Sequence, residues 1–262
     1  MSDLTDSPLT RDGKSIVLAH DHGLEHGPTA FSAVPDRLDP ETVFEMATHD
    51  AVTAFAVQKG LAKQYYPSYE DDVTLLAKLN GTSNMWMGEP DSSVTCSVEY
   101  AATQLEADAI GFTVYPGSNK ETEMVEEFRE AQETAREYDM PVVLWSYPRG
   151  QGLKNDTKES TIAYAARLGL ELGADVTKVK YPGSREGMEQ AVQMAGKSKV
   201  IMSGGSKVSD EAFLESVRAV MDAGGAGLAV GRNVWQRQDP ESLLDELEDV
   251  IFEDATVDAA LQ

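Results

Sequence analysis

The sequence predicts a single α/β domain folded as a (β/α)8 (TIM) barrel. Short apolar runs and helical patterns alternate along the chain, and eight such alternations over about 250 residues are typical of this fold. Several runs are apolar throughout, as parallel strands buried on both faces are. A doubly wound sheet is the alternative, but it requires a glycine fingerprint after the first strand, where this sequence has His20-Asp-His-Gly23.

The predicted strands and helices follow one another in regular order. The strands are 15–20, 54–58, 74–80, 109–115, 141–147, 175–181, 199–205 (cut short by its glycines) and 226–231. Pro40 opens the first helix, because proline is tolerated in a first turn, and Ser97 is the predicted N-cap of the second. The later helices are 121–138, 160–172, 185–195, 209–223 and 241–251. Gly173 and Gly224 suit the left-handed position after a helix.

Composition indicates one cytoplasmic domain. No Pro/Gly/Ser-rich linker divides the 262 residues, so we predict a single domain over 1–262 with a short N-terminal extension, 1–12. No apolar run approaches the roughly 18–20 residues of a membrane span, and the first residues lack a signal-peptide pattern. The single cysteine, Cys96, excludes an internal disulfide and fits a reducing compartment.

The charge balance excludes some partners. Asp and Glu number 45 against 22 Lys and Arg, which gives a net charge of −23. Such a surface repels nucleic acid and anionic lipid, so we expect neither as a partner. The acidic residues are spread along the chain rather than gathered in a tail. This favours adaptation to molar salt, in which the Debye length is about 3 Å and charge repulsion is screened.

In a barrel of this kind the functional residues lie at the C-terminal ends of the strands. Lys178 and Lys180 lie two residues apart in the sixth predicted strand, so both point to one face. Their repulsion and partial desolvation favour the neutral amine, which is a nucleophile able to form a Schiff base. An exposed edge strand with two solvated lysines is the alternative reading.

Two further strand ends carry candidates for acid–base chemistry. Trp145 and Tyr147 share one face of the fifth strand and can line the mouth of the barrel. Both can be core aromatics, but beside a Schiff-base lysine the phenol is also a competent acid or base. Asp21 follows the first strand and faces the lysines, either as a salt-bridge partner or as a general base.

The ends of the seventh and eighth strands suit an anionic ligand. Ser203, Gly204 and Gly205 end the seventh strand and Gly231 follows the eighth, which is where many barrels bind a phosphate through backbone N–H groups. Arg232 can add a bidentate contact to the same anion. A Gly-Gly pair also occurs in plain turns.

A metal site is the less favoured alternative. His20 and His22 resemble the His-x-His pair of amidohydrolase barrels, but those enzymes also need histidines later in the barrel. The only other histidines are His26 and His49. We therefore predict no metal. Loop structure and hydrogen bonding are the plain alternative for His20, His22 and His26, and we favour this alternative for His20.

Eight segments spread over nearly the whole chain are similar to those of one family. They are 19–28, 77–81, 88–90, 115–118, 145–150, 178–181, 203–205 and 230–236. They resemble the archaeal-type class I fructose-bisphosphate aldolases. The resemblance implies a Schiff-base mechanism without metal or cofactor, a sugar phosphate substrate and a homo-oligomer, commonly built from pentameric rings.

The resemblance also implies roles for individual residues. The implied catalytic residues are Lys178, Tyr147, Asp21 and Trp145, with Lys180 as the neighbour of the Schiff-base lysine. The implied phosphate segments are Ser203, Gly204, Gly205, Gly231 and Arg232. His26 and Lys207 are the candidates for the second phosphate of a bisphosphate. Ser206 and Pro182 depart from the family pattern, which usually has proline and threonine there.

A related enzyme is the main functional alternative. It is 2-amino-3,7-dideoxy-threo-hept-6-ulosonate synthase of archaeal aromatic amino-acid biosynthesis, which shares the lysine, the tyrosine and the aspartate. This sequence resembles it less at Trp145, where the synthase tends to carry methionine, and at Glu25-His26. A phosphate-binding barrel without catalytic activity is a further alternative, disfavoured by the intact lysine, tyrosine and aspartate.

Overall fold

The computed structural model describes residue 5, residues 7–32 and residues 34–262. Eight parallel strands close into a barrel, and each strand pairs with its neighbours in chain order. The predicted (β/α)8 fold is therefore confirmed. The predicted extension 1–12 falls partly outside the described residues.

All eight predicted strands are present. They are β1 (Ser15–Ala19), β2 (Ala54–Gln58), β3 (Leu75–Lys78), β4 (Ala109–Val114), β5 (Val142–Ser146), β6 (Val176–Val179), β7 (Lys199–Ser203) and β8 (Gly227–Val230). All but β2 end one or two residues earlier than predicted. Consequently Asp21, Tyr147 and Lys180 lie in the loops that follow the strands. A small antiparallel pair, Asn80–Gly81 with Ser93–Val94, lies outside the barrel.

The predicted helices are present, together with short ones that were not predicted. They are α1 (His22–His26), α2 (Glu41–Ala47), α3 (Lys59–Tyr65), α4 (Val98–Gln104), α5 (Glu121–Glu137), α6 (Glu159–Glu171), α7 (Arg185–Ala195), α8 (Asp210–Asp222), α9 (Arg232–Trp235), α10 (Pro240–Ile251) and α11 (Val257–Ala260). Short 3-10 segments cover Pro28–Phe31, Pro35–Leu38 and Tyr66–Ser68. The unpredicted helices α1, α3, α9 and α11 have four to seven residues, too few to show a helical period.

Local capping follows the sequence signals. The Ser97 side chain accepts a hydrogen bond from the Tyr100 N–H at the start of α4, as predicted. Gly173 and Gly224, with φ of 83° and 82°, follow the ends of α6 and α8. Pro40 is the N-cap of α2 rather than its first residue.

The core has two layers that follow from strand alternation. Residues such as Ile16 and Leu18 point outward and pack under the helices, whereas Val17 and Ala19 point into the barrel. On β5 the inward residues are Val143 and Trp145. By the same alternation Lys78 and Lys178 point inward at the C-terminal ends of β3 and β6. Two lysines and a tryptophan therefore close the upper end of an otherwise apolar interior.

Within the described part of the chain, no helix combines the length and the apolar character needed to cross a bilayer.

Gly111 on β4 makes room for the tryptophan. A Cβ at this position would lie 2.4 Å from Trp145 Cζ3 and 2.7 Å from Leu76 Cδ2. We expect Gly111→Ala to lower the free energy of unfolding by about 1–3 kcal/mol, because the packed interior cannot absorb an added methyl group. Denaturant unfolding of both proteins measures the difference.

Gly60→Ala is the matched control for this substitution. Gly60 lies in α3 with nothing within 4 Å of an added Cβ, so alanine should leave stability unchanged or raise it by about 0.5–1 kcal/mol. Equal effects of the two substitutions would contradict the assigned role of Gly111.

Candidate active site

A cavity of about 440 Å³ opens at the C-terminal end of the barrel. The parallel strands end at this face, so their following loops converge on it. The predicted site residues that line the cavity are Lys178, Tyr147, Asp21, Trp145, Ser203, Gly204, Gly205, Gly231, Arg232, Lys180 and His26. Lys207 does not line it. Sequence positions far apart in the chain are therefore brought into one pocket.

Lys178 lies at the base of this cavity and is only 5% exposed. Its Nζ lies 4.8 Å from the centre of the Trp145 ring and 5.9 Å from that of the Tyr147 ring. Burial lowers the pKa of Lys178 to about 8, against the opposing attraction of Asp21 and Glu25. At pH 7 roughly a tenth of this amine is therefore uncharged and able to attack a carbonyl.

The cation that helps to lower the pKa of Lys178 is Lys78, not Lys180. The sequence-based expectation for Lys180 was wrong because β6 ends at Val179, so strand alternation no longer fixes where the next side chain points. The Lys180 ammonium is paired with Asp156. Lys180 still lines the cavity, but its charge is compensated.

Lys78 was missed as a site residue. It is fully buried, and its Nζ donates hydrogen bonds to the Asn80 carbonyl oxygen at 2.7 Å and to Asn80 Oδ1 at 3.1 Å. Glu25 Oε1 lies 3.7 Å from the same nitrogen, and the Trp145 ring centre lies 5.5 Å from it. A lone lysine inside an apolar predicted strand, 74–80, was the signal that could have identified it.

Tyr147 stands beside Lys178 with its phenol protonated. Desolvation and the negative charge of Asp21 raise its pKa well above 10, although a hydrogen bond with the Ser203 side chain acts in the opposite direction. The Arg149 guanidinium lies 5.9 Å from the tyrosine ring. The phenol therefore stays protonated in the resting cavity at neutral pH. It can act as a hydrogen-bond donor there and as an acid when a reacting group takes up its proton.

Asp21 and Glu25 form the acidic wall of the cavity. Asp21 is buried and is the N-cap residue of α1, and Glu25 lies one turn further along that helix. Burial and the charge of Asp21 raise the pKa of Glu25, while Lys78, Lys178 and Arg149 lower it. This second carboxyl group was not among the predicted site residues.

The histidines of the first loop differ from one another. His20 packs edge-on against Phe31 and Trp235, and burial lowers its pKa to about 4, so it is neutral. Its Nδ1 has no hydrogen-bond partner among the described residues. The side chain of His22 lies outside the described residues. Among those described, no three His, Cys, Asp or Glu side chains are grouped to hold a metal.

The predicted phosphate-binding segments form one wall of the cavity, but Gly204 has a different role from the one predicted. The Gly204 N–H donates to the Ala229 carbonyl oxygen at 3.1 Å, so it is not free to bind an anion as expected. A Cβ on Gly204 would lie 2.9 Å from Val230 Cγ2, so glycine allows the β7 loop to approach β8. Gly205 has φ of 66°, a conformation that favours glycine.

Asn233 holds the two phosphate segments together and was not predicted. Its fully buried amide donates to the Gly204 and Ser206 carbonyl oxygens at 2.5 and 3.0 Å, and its Oδ1 accepts from the Val208 N–H at 3.0 Å. The neighbouring Arg232 side chain reaches the cavity. The wall is thus pre-formed, with one cation facing the open space.

A second pocket of about 300 Å³ lies beside this cavity, on the side of the loop after β3. Glu25, His26 and Arg149 line both pockets. Burial and the charge of Arg232 lower the pKa of His26. Lys207, the other predicted candidate for a second phosphate, instead donates to the Gln236 carbonyl oxygen at 2.9 Å on the surface, although its neighbours Ser206 and Val208 line the cavity.

A family model described as DeoC/LacD family aldolase matches residues 15–237. The chain belongs to the DeoC/LacD aldolase family. The match covers the barrel from β1 to the loop after α9, and it includes every residue placed in the cavity. The family resemblance read from the sequence motifs is thereby confirmed.

Individual relatives are similar over nearly their whole length. A class 1 fructose-bisphosphate aldolase of Halobacterium salinarum is 66% identical over 261 residues, covering 100% of this chain and 99% of the relative. One of Thermoproteus tenax is 45% identical over 256 residues, covering 96% of each.

A solved structure of an archaeal aldolase is similar to this chain over nearly its whole length. An archaeal fructose-1,6-bisphosphate aldolase, with its catalytic lysine covalently bound to the carbinolamine intermediate of the substrate, matches with a TM-score of 0.89. The two are 44% identical, and the match covers 93% of this chain and 96% of that one.

Lys178→Met should change stability in a pH-dependent way. A pKa that falls from 10.5 to about 8 on folding costs about 3 kcal/mol at pH 7, because each pKa unit is worth about 1.4 kcal/mol. Since the folded state has the lower pKa, this cost is fully present below pH 8 and is lost as the pH rises through 10.5.

Denaturant unfolding at several pH values measures this effect. We expect the variant to be more stable than the parent at pH 7 and the difference to shrink towards pH 10.5. Burial of the methionine side chain adds a pH-independent gain, so only the slope with pH reports the lysine. A difference that stays constant across this range would contradict the lowered pKa.

Proposed function

We propose that the protein is a class I fructose 1,6-bisphosphate aldolase, which reversibly cleaves this sugar to dihydroxyacetone phosphate and glyceraldehyde 3-phosphate. The observation that carries the proposal is the buried, partly uncharged Lys178 at the base of a cavity that also presents an acid, two carboxyl groups and cations. The relatives named above support the same activity.

Lys178 is the proposed nucleophile. Its neutral Nζ attacks the C2 ketone to give a carbinolamine, which loses water to form an iminium ion. The C3–C4 bond then breaks, its electron pair forms the C2–C3 double bond of an enamine, and the iminium π electrons move to nitrogen. The protonated phenol of Tyr147 is suited to donate a proton to the departing carbinolamine hydroxyl. The Trp145 ring shapes the wall beside the nitrogen.

Asp21 is the proposed base for the C4 hydroxyl proton or the partner of Tyr147 in proton transfer. It is buried in the same cavity, and its charge acts on Lys178 and Tyr147. Glu25 lies beside it and is the second carboxyl group able to exchange protons there. Paired carboxyl groups in different environments can hold and release a proton in turn.

The phosphates are the proposed anchors of the substrate. The segments Ser203–Gly205 and Gly231–Arg232 would hold the 1-phosphate, with Arg232 as the cation. His26 and Arg149 would receive the 6-phosphate, because they line both the cavity and the second pocket. Binding energy from both phosphates would position C2 against Lys178.

The cellular setting is part of the proposal. The −23 net charge and the similarity to a Halobacterium protein support a halophilic protein that works in a salt-rich cytoplasm. A homo-oligomer is the proposed assembly, and it rests on the family resemblance. The salt dependence of activity and light scattering of the purified protein test these two points.

Borohydride trapping tests the nucleophile. Incubation with dihydroxyacetone phosphate followed by borohydride should leave a reduced adduct on the peptide that contains Lys178, because reduction converts the iminium to a stable secondary amine. Lys178→Met should show no adduct, and Lys180→Met should retain it. An adduct on another peptide in the parent protein would refute the assignment.

The pH profile tests the charge state of the same amine. Because only the neutral form attacks, kcat/KM for fructose 1,6-bisphosphate in molar KCl should rise with pH to a plateau with a midpoint near 8. A profile already flat from pH 6 would exclude the assigned pKa. If the protein forms the borohydride adduct but does not turn over fructose 1,6-bisphosphate, the result would favour the alternative activity, 2-amino-3,7-dideoxy-threo-hept-6-ulosonate synthase.

A further inference from the structure

Lys78 is a buried cation to which the proposed reaction gives no direct part. Its ammonium is held by the carbonyl oxygen and Oδ1 of Asn80 at 2.7 and 3.1 Å. Asn80 is itself fixed, because its amide donates to the Ser92 and Thr113 carbonyl oxygens and its Oδ1 accepts from the Thr113 N–H. The charge therefore cannot move away when the charge in the cavity changes.

The two buried ammonium groups share one aromatic neighbour. Lys178 Nζ lies 4.8 Å and Lys78 Nζ 5.5 Å from the centre of the Trp145 ring. Trp145 pairs with Lys178 across β5 and β6, and Lys78 pairs with Gly111 across β3 and β4. Gly111 has no side chain to separate Lys78 from the indole ring.

We propose that Lys78 is a positioning residue whose fixed positive charge, beside the Trp145 ring, biases the Schiff-base nitrogen of Lys178 towards its uncharged states, with Glu25 as the counter-charge. Glu25 Oε1 lies 3.7 Å from Lys78 Nζ and also lines the cavity. This inference rests on the proposed aldolase function.

A fixed cation would act at two points of the reaction. Before substrate binds, it favours the neutral amine of Lys178 over the ammonium. After the iminium forms, C–C cleavage sends an electron pair to the nitrogen and the C4 hydroxyl proton to a carboxylate, so the nitrogen becomes neutral. A neighbouring positive charge lowers the energy of the neutral enamine relative to the iminium.

The charged and titratable groups that face Lys178 determine the direction in which each substitution should change its pKa. Asp21 after β1 and Glu25 on α1 raise the pKa of Lys178, Lys78 on β3 lowers it, and the phenol of Tyr147 after β5 stays neutral. Lys180 is already paired with Asp156. Removing the Lys78 charge should therefore raise the midpoint of the kcat/KM profile, and removing the Glu25 charge should lower it.

The test compares pH profiles of variants in molar KCl with fructose 1,6-bisphosphate. In Lys78→Met and Lys78→Gln, the second of which keeps an N–H donor for Asn80, we expect a higher midpoint and several-fold lower kcat/KM below it. Glu25→Gln should shift the midpoint downward. Borohydride should trap a larger fraction of the lysine variants at equilibrium with dihydroxyacetone phosphate, because more iminium accumulates.

Lys180→Met is the control, since it removes one positive charge from the same cavity at a paired site. Its midpoint should stay near that of the parent. A shift as large as that of Lys78→Met would assign the effect to total charge and overturn the proposal. A merely structural role of Lys78 would lower activity at all pH values without moving the midpoint, and this result would also overturn it.

Two further outcomes separate the hypotheses. If the parent protein gives no adduct on Lys178, the aldolase function fails regardless of Lys78. If trapping succeeds but neither Lys78 variant folds, Glu25→Gln decides: a lower midpoint supports the electrostatic pair, whereas an unchanged or higher midpoint overturns it.

Discussion

The desolvation of one amino group is the constraint on which the site depends. Lys178 is held at the end of a barrel strand, where burial outweighs the attraction of Asp21 and Glu25 and brings its pKa to about 8. Lys78 shows the other outcome of burial, because Asn80 satisfies two of its donors and fixes it. Two buried lysines thus acquire different properties: Lys178 faces the cavity with a lowered pKa, and Lys78, held by Asn80, supplies a fixed charge.

The charge of the whole chain makes the composition of the cavity informative. A protein with a net charge of −23 repels anions at long range, yet Arg149, Arg232, Lys178 and Lys180 line the pocket. In molar salt the Debye length is about 3 Å, so the distant acidic surface is screened. Contacts within the pocket then dominate, and a doubly phosphorylated sugar is a ligand that such a pocket favours.

Much of the fold and part of the site could be predicted from sequence. The eight strands were predictable because their apolar runs reflect burial on both faces. The start of α4 was predictable because Ser97 is a favourable N-cap residue. The candidates at the ends of five strands meet because parallel strands end at one face of a barrel. Lys78, Asn233 and Arg149 could not be assigned in the same way, because their roles depend on contacts with residues distant in the sequence, such as Glu25 and Gly204.

The direction of the Lys180 side chain could not be predicted from strand alternation, because Lys180 lies beyond the end of β6. Alternation of side chains holds only while the backbone remains in the strand ladder. β6 leaves it after Val179, so Lys180 is directed by its loop and pairs with Asp156. Lys78 is the last residue of β3 and still obeys the alternation that carries Leu76 inward. When the same rule is applied with the observed strand ends, it identifies Lys78 as the cationic neighbour of the Lys178 amine.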